Sequence, residues 1–284
     1  MTYVIKINGG EDVATSSVEA SGSESFIIND KAIEYFSLDE SNLETLVGKD
    51  MGKDPSSAYL KSPTPWGDLY KTENLEEVTV VREIASARII DLDMRPTMIS
   101  ATIFKNDSDH IAKVNCKVTD SVENTVESNW SKSDTLGVTQ TVKYGISFLG
   151  AGGGGSTAFS YSHEWSKGGS ESKSTTVGSE SGVEVELDPG EKVKAILTAS
   201  KGTLKVEVVY RTYLTGTVVA NYSKKFNDHH FYYLNVQNML RASDSMYEYF
   251  TTEIIEVGYY AESHVTVVDP QGKPKAFRLV ELDW

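Results

Sequence analysis

The residues of this chain whose types could do chemistry are few and poorly grouped. His229 and His230 are adjacent, and neighbouring side chains on a strand or loop point apart. With no Cys or further His beside them, they do not read as a metal site. Asp91 and Asp93 lie in the strand-like stretch IIDLDM and read as solvated, outward-facing carboxylates rather than an acid–base pair. Cys116 is the single cysteine, which excludes an internal disulfide framework and reads as a small buried hydrophobe. The run GAGGGGS at 150–156 lacks the GK[ST] ending of a phosphate loop, and no buried strand and helix flank it. No GxSxG, HExxH or CxxC spacing occurs. The chain is therefore expected not to be an enzyme, and no catalytic residue, metal ligand or cofactor is assigned.

The informative pattern is one of alternation. Leu136, Val138, Gln140, Val142, Tyr144, Ile146 and Phe148 form one file, and Gly137, Thr139, Thr141, Lys143, Gly145 and Ser147 the other. Past the glycines, Thr157, Phe159, Tyr161, His163 and Trp165 alternate with Ala158, Ser160, Ser162 and Glu164. A pleated strand sends alternate side chains to opposite faces. Folded about the glycine run, Ile146 meets Phe159, Tyr144 meets Tyr161 and Val142 meets His163, while Ser147, Gly145 and Lys143 meet Ala158, Ser160 and Ser162. One face is apolar and the other small or polar.

A half-buried hairpin packed on a core has the same alternation. Three features favour a membrane strand pair. No charged residue lies between Lys143 and Glu164. Val138–Phe148 has about the 9–11 residues that a tilted membrane strand needs. The flanks are rich in Ser, Thr and Gly, too small to build a core but suited to the wall of a wide, water-filled barrel. A lone hairpin cannot cross lipid, because its edges leave N–H and C=O groups unpaired, so one hairpin per chain implies a barrel assembled from several chains. Val138, Val142, Tyr144, Ile146, Phe148, Leu149, Phe159 and Tyr161 are then expected to face lipid. Thr139, Thr141, Lys143, Gly145, Ser147, Ser160, Ser162 and Glu164 are expected to face the lumen.

The elements that must position this hairpin are mostly strands. Short strands are expected within residues 1–30, and a helical stretch over Asp30–Lys49, with Asp39 and Ser41 as candidate N-caps of a second short helix. Residues 53–71, with three prolines, read as loop; their aromatics Tyr59, Trp66 and Tyr70 are candidate surface residues of a head region. From Leu75 onward long alternating strands take over, interrupted by a short helix at 232–240 and closed by strands over 250–269 and 275–282. These lengths exceed the usual five or six residues, so the fold class is mainly β, elongated and antiparallel.

Composition narrows the partners. The chain has 284 residues, 41 acidic and 27 basic, for a formal charge of −14. A face that binds nucleic acid must be cationic, so nucleic acid is excluded as a partner, and docking on an anionic bilayer gains nothing from charge. Aromatic residues make up 10%, including 15 Tyr, which argues against wholesale disorder. No run of about 18 apolar residues occurs, so membrane entry has to use strands. The opening MTYVIKINGGEDV has no cationic flank followed by an apolar run. A soluble cytosolic store, non-classical release, or a chain already processed are the expectations this leaves open, with membrane insertion only as the assembled pore.

In order, within about residues 97–220, the segments NCKVTDSVENTVESNWSKSDTLGV, HEWSKGGSESKSTTVGSESGVEVELDPGEKVKAIL and VYRTYLTG resemble the aerolysin-type β-pore-forming proteins. SSAYLKSPTPWGDLYKT, in the N-terminal part, is similar to spherulin-2A-like proteins that carry the same module. The resemblance implies a small mixed head at 1–95, a region for receptor binding, and an aerolysin-like β body at 96–284. It implies a pre-stem at about 131–181 with its tip near Phe148–Ser156, which joins a homo-oligomeric ring, commonly a heptamer, and permeabilises target-cell membranes as a toxin or defence protein. The receptor is then a glycan, a lipid or a protein. The tip departs from the family pattern, since only Phe148 and Leu149 are bulky before the glycines. No family sugar-binding motif matches residues 1–95, so no receptor residue is transferred. A non-lytic storage, encystment or carbohydrate-binding protein on the same fold is the alternative.

Overall fold

The computed structural model describes residues 3–132, 136–137, 140–149, 156–178 and 182–274. The chain opens with β1 (Tyr3–Gly9), β2 (Ser17–Ser21) and β3 (Ser23–Ile27), then α1 (Asp30–Tyr35) and α2 (Glu40–Met51). Each helix starts behind an Asx cap: the Asn29 side chain accepts from the Ala32 N–H, and that of Asp39 from the Asn42 N–H. Gly52 ends α2 in the left-handed region, with φ 83°.

β4 (Ser57–Tyr59) and α3 (Pro65–Thr72) follow, in the stretch expected to be loop. That expectation holds for the first half of α3. Trp66, Gly67 and Asp68 take φ of 65°, 83° and 65°, a left-handed path that no regular helix follows. The Thr64 hydroxyl accepts from the Leu69 N–H at 2.8 Å, so helical turns begin only there.

The rest is largely strand: β5 (Thr79–Lys105), β6 (Ala112–Asn115), β7 (Thr119–Trp130), β8 (Thr141–Leu149), β9 (Ser156–Glu164), β10 (Gly169–Gly178), β11 (Glu184–Leu187), β12 (Lys192–Thr215), β13 (Thr217–Phe226), β14 (His229–Asn235), α4 (Val236–Ala242) and β15 (Glu248–Val268). β5 runs through Pro96 as one strand of 27 residues. Pro96 lacks an N–H, and it pairs with Ser200 of β12 where the other side of β5 is a free sheet edge, because β3 covers only Thr79–Glu83. The helix expected at 232–240 begins later. Tyr232–Asn235 complete β14, and the Asn235 side chain caps α4 by accepting from the Asn238 N–H. The strand expected at 275–282 lies outside the described residues.

A six-stranded sheet, ordered β10-β7-β15-β12-β5-β3, forms the long body. Its axis is β12, which pairs with β15 from Lys194–Val268 to Tyr213–Glu248 and with β5 from Lys192–Lys105 to Thr215–Thr79. A second sheet, ordered β2-β1-β8-β9, packs face to face on the middle of the body. Three hydrophobic cores follow one another along the long strands. At one end α1, α2, α4, β13 and β14 enclose Leu43, Val47, Val218, Tyr222 and Met239 with Val80 and Leu214 of the body. In the middle, Ile5, Ile7, Val142 and Ile146 meet Leu204, Val206, Ile255 and Val257. At the far end Cys116, Leu187, Val193, Leu197 and Val267 pack together.

The result is the elongated, mainly antiparallel β protein that the alternation predicts. β5 crosses residue 95 without a break, and β1 and β2 lie along the body rather than with the helices. Among the described residues, no helix is long and apolar enough to cross a membrane.

Candidate functional site

β8 and β9 pair antiparallel with Ile146 opposite Phe159, Tyr144 opposite Tyr161 and Val142 opposite His163. The alternating pattern therefore sets the register, as period-2 strands with one buried face require. Val142, Tyr144, Ile146 and Phe148 are 0–3% exposed, and Tyr161 and Trp165 are also buried. All six lie in the middle core. Phe148 stacks on Tyr259, with ring centroids 5.1 Å apart. On the other face Thr141, Lys143, Gly145, Ala158, Ser160 and Ser162 are exposed, while Ser147 and Glu164 are half-buried. Leu149 pairs with Ser156. Val138, Thr139 and, of the expected tip near Phe148–Ser156, residues 150–155 lie outside the described residues.

The hairpin does not stand alone. β1 runs parallel to β8, from Tyr3 beside Val142 to Gly9 beside Phe148, and adds Tyr3, Ile5 and Ile7 to the buried face. The segment leading in is held at the head, where Leu136 is buried and the Asn29 amide donates to its carbonyl at 3.0 Å.

Beneath the hairpin is a buried polar cluster. Glu253 of β15 is fully buried. Its Oε1 accepts from the Ser128 hydroxyl at 2.6 Å and from the Tyr144 hydroxyl, and its Oε2 accepts from the Tyr210 hydroxyl at 2.8 Å. His163 Nε2 lies 2.7 Å from Tyr144 Oη and 3.6 Å from Glu253 Oε1, while its Nδ1 lies 2.8 Å from the Glu164 carbonyl. Burial, and then the Glu253 charge, push the Tyr210 phenol well above its ordinary value, so it serves as a donor. Trp130 stacks on Tyr210 at 5.1 Å and meets Trp165 edge-on at 4.8 Å. The buried Arg82 guanidinium lies 3.7 Å from the Trp165 ring centroid and 3.4 Å from Glu24 Oε2.

Sequence reasoning missed Glu253 and Arg82. A signal existed in both cases: Glu253 is in phase with the inward residues Tyr249, Thr251, Ile255 and Val257, and Arg82 with Val78 and Val80. A charge at an inward position of a strand is either paired or destabilising.

The three head aromatics divide. The Trp66 ring is 51% exposed and meets Phe231 at 5.1 Å and Tyr59 at 6.1 Å, both edge-on. Tyr59, Val219 and Tyr233 form one row across β4, β13 and β14, so Tyr233 extends the same face and is itself exposed. Tyr70 is no surface residue. It is 3% exposed and its hydroxyl lies 2.8 Å from both the Tyr59 and the Thr217 carbonyl, because it closes the core beneath α3.

No family model matches the chain. It is 34% identical over 264 residues to U-megalopygitoxin(8)-Mc8 of Megalopyge crispata, covering 93% of this chain and 91% of the relative. It is 33% identical over 264 residues to U-megalopygitoxin(8)-Mo12 of Megalopyge opercularis, with the same coverage of 93% and 91%. Among solved structures, the parasporin-2 toxin of Bacillus thuringiensis that recognizes cancer cells superposes with a TM-score of 0.54 at 14% identity, over 87% of this chain and 98% of that one. This likeness concerns the fold, and it agrees with the aerolysin-type resemblance of residues 97–220.

Proposed function

The chain belongs to the U-megalopygitoxin(8) family, and from that premise we propose that it is a pore-forming toxin whose β8–β9 hairpin becomes its share of a transmembrane barrel. The observation that carries this reading is the double character of the hairpin. Val142, Tyr144, Ile146, Phe148 and Tyr161 share one apolar face, yet these side chains are sheltered in the body. With Trp165, the six buried side chains would cost on the order of 10 kcal/mol to expose to water. Lipid replaces the protein core at little cost for apolar groups. The hairpin therefore stays docked in solution and leaves only where a bilayer and neighbouring copies accept it.

In the pore, Val138, Val142, Tyr144, Ile146, Phe148, Leu149, Phe159 and Tyr161 face lipid, and Thr139, Thr141, Lys143, Gly145, Ser147, Ser160, Ser162 and Glu164 line the lumen. A ring of copies supplies the hydrogen-bond partners that a single hairpin lacks. The exposed face of Trp66 and Tyr233 makes the first contact with the target surface.

Release of a small dye from liposomes tests the function. Release together with rings visible in negative stain is expected. Glycan binding through Trp66 with neither release nor rings would favour the alternative, a non-lytic carbohydrate-binding protein.

A further inference from the structure

A hairpin that joins a ring must pair along both of its edges, β8 with one neighbouring copy and β9 with the other. In the soluble chain these two edges differ. β9 is the end strand of its sheet, and Lys173 of β10 donates to its Ala158 carbonyl at 3.3 Å. β8 is covered: β1 lies along it in parallel from Tyr3 beside Val142 to Gly9 beside Phe148, over seven of its nine residues. On the polar side of this pair the Ser147 hydroxyl donates to the Asn8 side-chain carbonyl. β1 is also fastened to the body. Tyr3, Ile5 and Ile7 are buried in the middle core, and the Tyr3 hydroxyl donates to the Arg82 carbonyl at 3.2 Å. Just past β1, the Gly10 carbonyl accepts from the Tyr259 hydroxyl at 2.7 Å. β2 pairs along the other side of β1, from Val4–Ser21 to Asn8–Ser17.

We infer that the β8 edge is the surface that takes β9 of a second copy, and that β1 holds this place in the soluble chain as a strap that stays on the body. The inference rests on the pore reading's premise that the hairpin leaves. Three observations select a second copy as the occupant. The ladder with β1 shows that this edge of β8 pairs with a strand laid along it. Each chain that needs a partner for β8 brings a β9 whose outer side has no strand beside it among the described residues, so the contact is head-to-tail and can close a ring. A barrel wall alternates strand direction, so β9 of the next copy pairs antiparallel. It replaces a parallel ladder, which is slightly less stable per residue, with no loss of hydrogen bonds. Until then β1 keeps the edge from pairing with stray strands, the hazard of any open edge.

Cross-linking β1 to one neighbour or the other tests the strap. In a Cys116→Ala background, Asn8→Cys is combined with Ser147→Cys on β8 or with Ser17→Cys on β2, the residues that flank Asn8 in the two ladders. Each pair is closed in solution with a short bis-methanethiosulfonate linker that reductant cleaves, and dye release from liposomes is read before and after reduction. The β1–β8 tether should abolish release, and reduction should restore it. The β1–β2 tether should leave release as it is in the reduced chain. Should the substitutions at Asn8 and Ser147 themselves disable the reduced chain, Lys6→Cys with Gly145→Cys gives the same reading on the same ladder, since a Cβ at Gly145 meets nothing within 4 Å. The occupant is read by mixing a Gly145→Cys chain with a Ser160→Cys chain: the linker should join them into dimers on liposomes and not in solution. Release that survives the closed β1–β8 tether, release blocked equally by the β1–β2 tether, or leaking rings without those dimers overturns the inference. A native chain that releases no dye counts instead against the pore reading.

Discussion

Ile146 and Ser147 are neighbours with opposite surroundings, the first buried in the middle core and the second at the polar face. A cation at 146 is costly in both states: it enters the core of the soluble chain, and at the bilayer midplane it costs about 2–4 kcal/mol. Ile146→Arg should therefore lower soluble stability as well as abolish dye release. Ser160 is exposed on the polar face, so Ser160→Arg should leave the unfolding midpoint within about 0.5 kcal/mol of the native value. It should also keep permeabilisation and shift the reversal potential in planar bilayers toward anions. Gly202 shows a different constraint. A Cβ there would lie 2.6 Å from Met94 Sδ and 2.7 Å from Tyr259 Cζ, and Tyr259 is the ring on which Phe148 stacks. Gly202→Ala should cost about 1–3 kcal/mol in denaturant unfolding. At this scale the sequence was half legible. Parity placed Val142, Tyr144 and Ile146 correctly on one face. It hides Glu253 and Arg82, because a charge on a strand is ordinarily outward, and only the partners brought in from β7, β8, β12 and β3 make an inward charge tenable.

The hairpin was the most legible element, since a period of two fixes both its faces and its register. Its neighbour was not. Nothing local in Tyr3–Gly9 says that β1 pairs parallel to a strand some 140 positions later; only the shared apolar face under both strands makes that pairing favourable. α3 departs from the expected loop only in its second half, for a local reason: its prolines and Gly67 mark a break, and the helix forms only after Thr64 caps Leu69. β9 is the edge strand of its sheet, whereas β12 is flanked on both sides. Amides at 158–164 should therefore exchange faster than those at 204–210 at any pH where the chain is folded. Equal, slow exchange in both would mean that the hairpin opens only with the whole body.

Across the molecule, length of strand and charge were legible, and the packing of distant segments was not: α1 and α2 share a core with β13 and α4, drawn from opposite parts of the chain. The body also carries buried phenols, which set its alkaline limit. Burial pushes Tyr259 up to about 12, and Tyr3, Tyr70 and Tyr210 are also raised, chiefly by burial. A phenol that stays protonated in the fold while the unfolded chain ionises near pH 10 stabilises fully below that pH. Stability should then fall as pH rises beyond about 10, by about 1.4 kcal/mol per unit for each such group, with tyrosinate absorbance appearing together with loss of the strand signal. The central claim concerns where the hairpin goes in the assembled ring. It is tested most directly by single cysteines along β8 and β9 in a Cys116→Ala background, labelled with a polarity-sensitive dye and read before and after addition of liposomes. The account predicts lipid at 142, 144 and 146 and water at 143, 145, 147, 160 and 162, alternating residue by residue. A response without that alternation, or no change at any position on membranes that the native chain permeabilises, would contradict it.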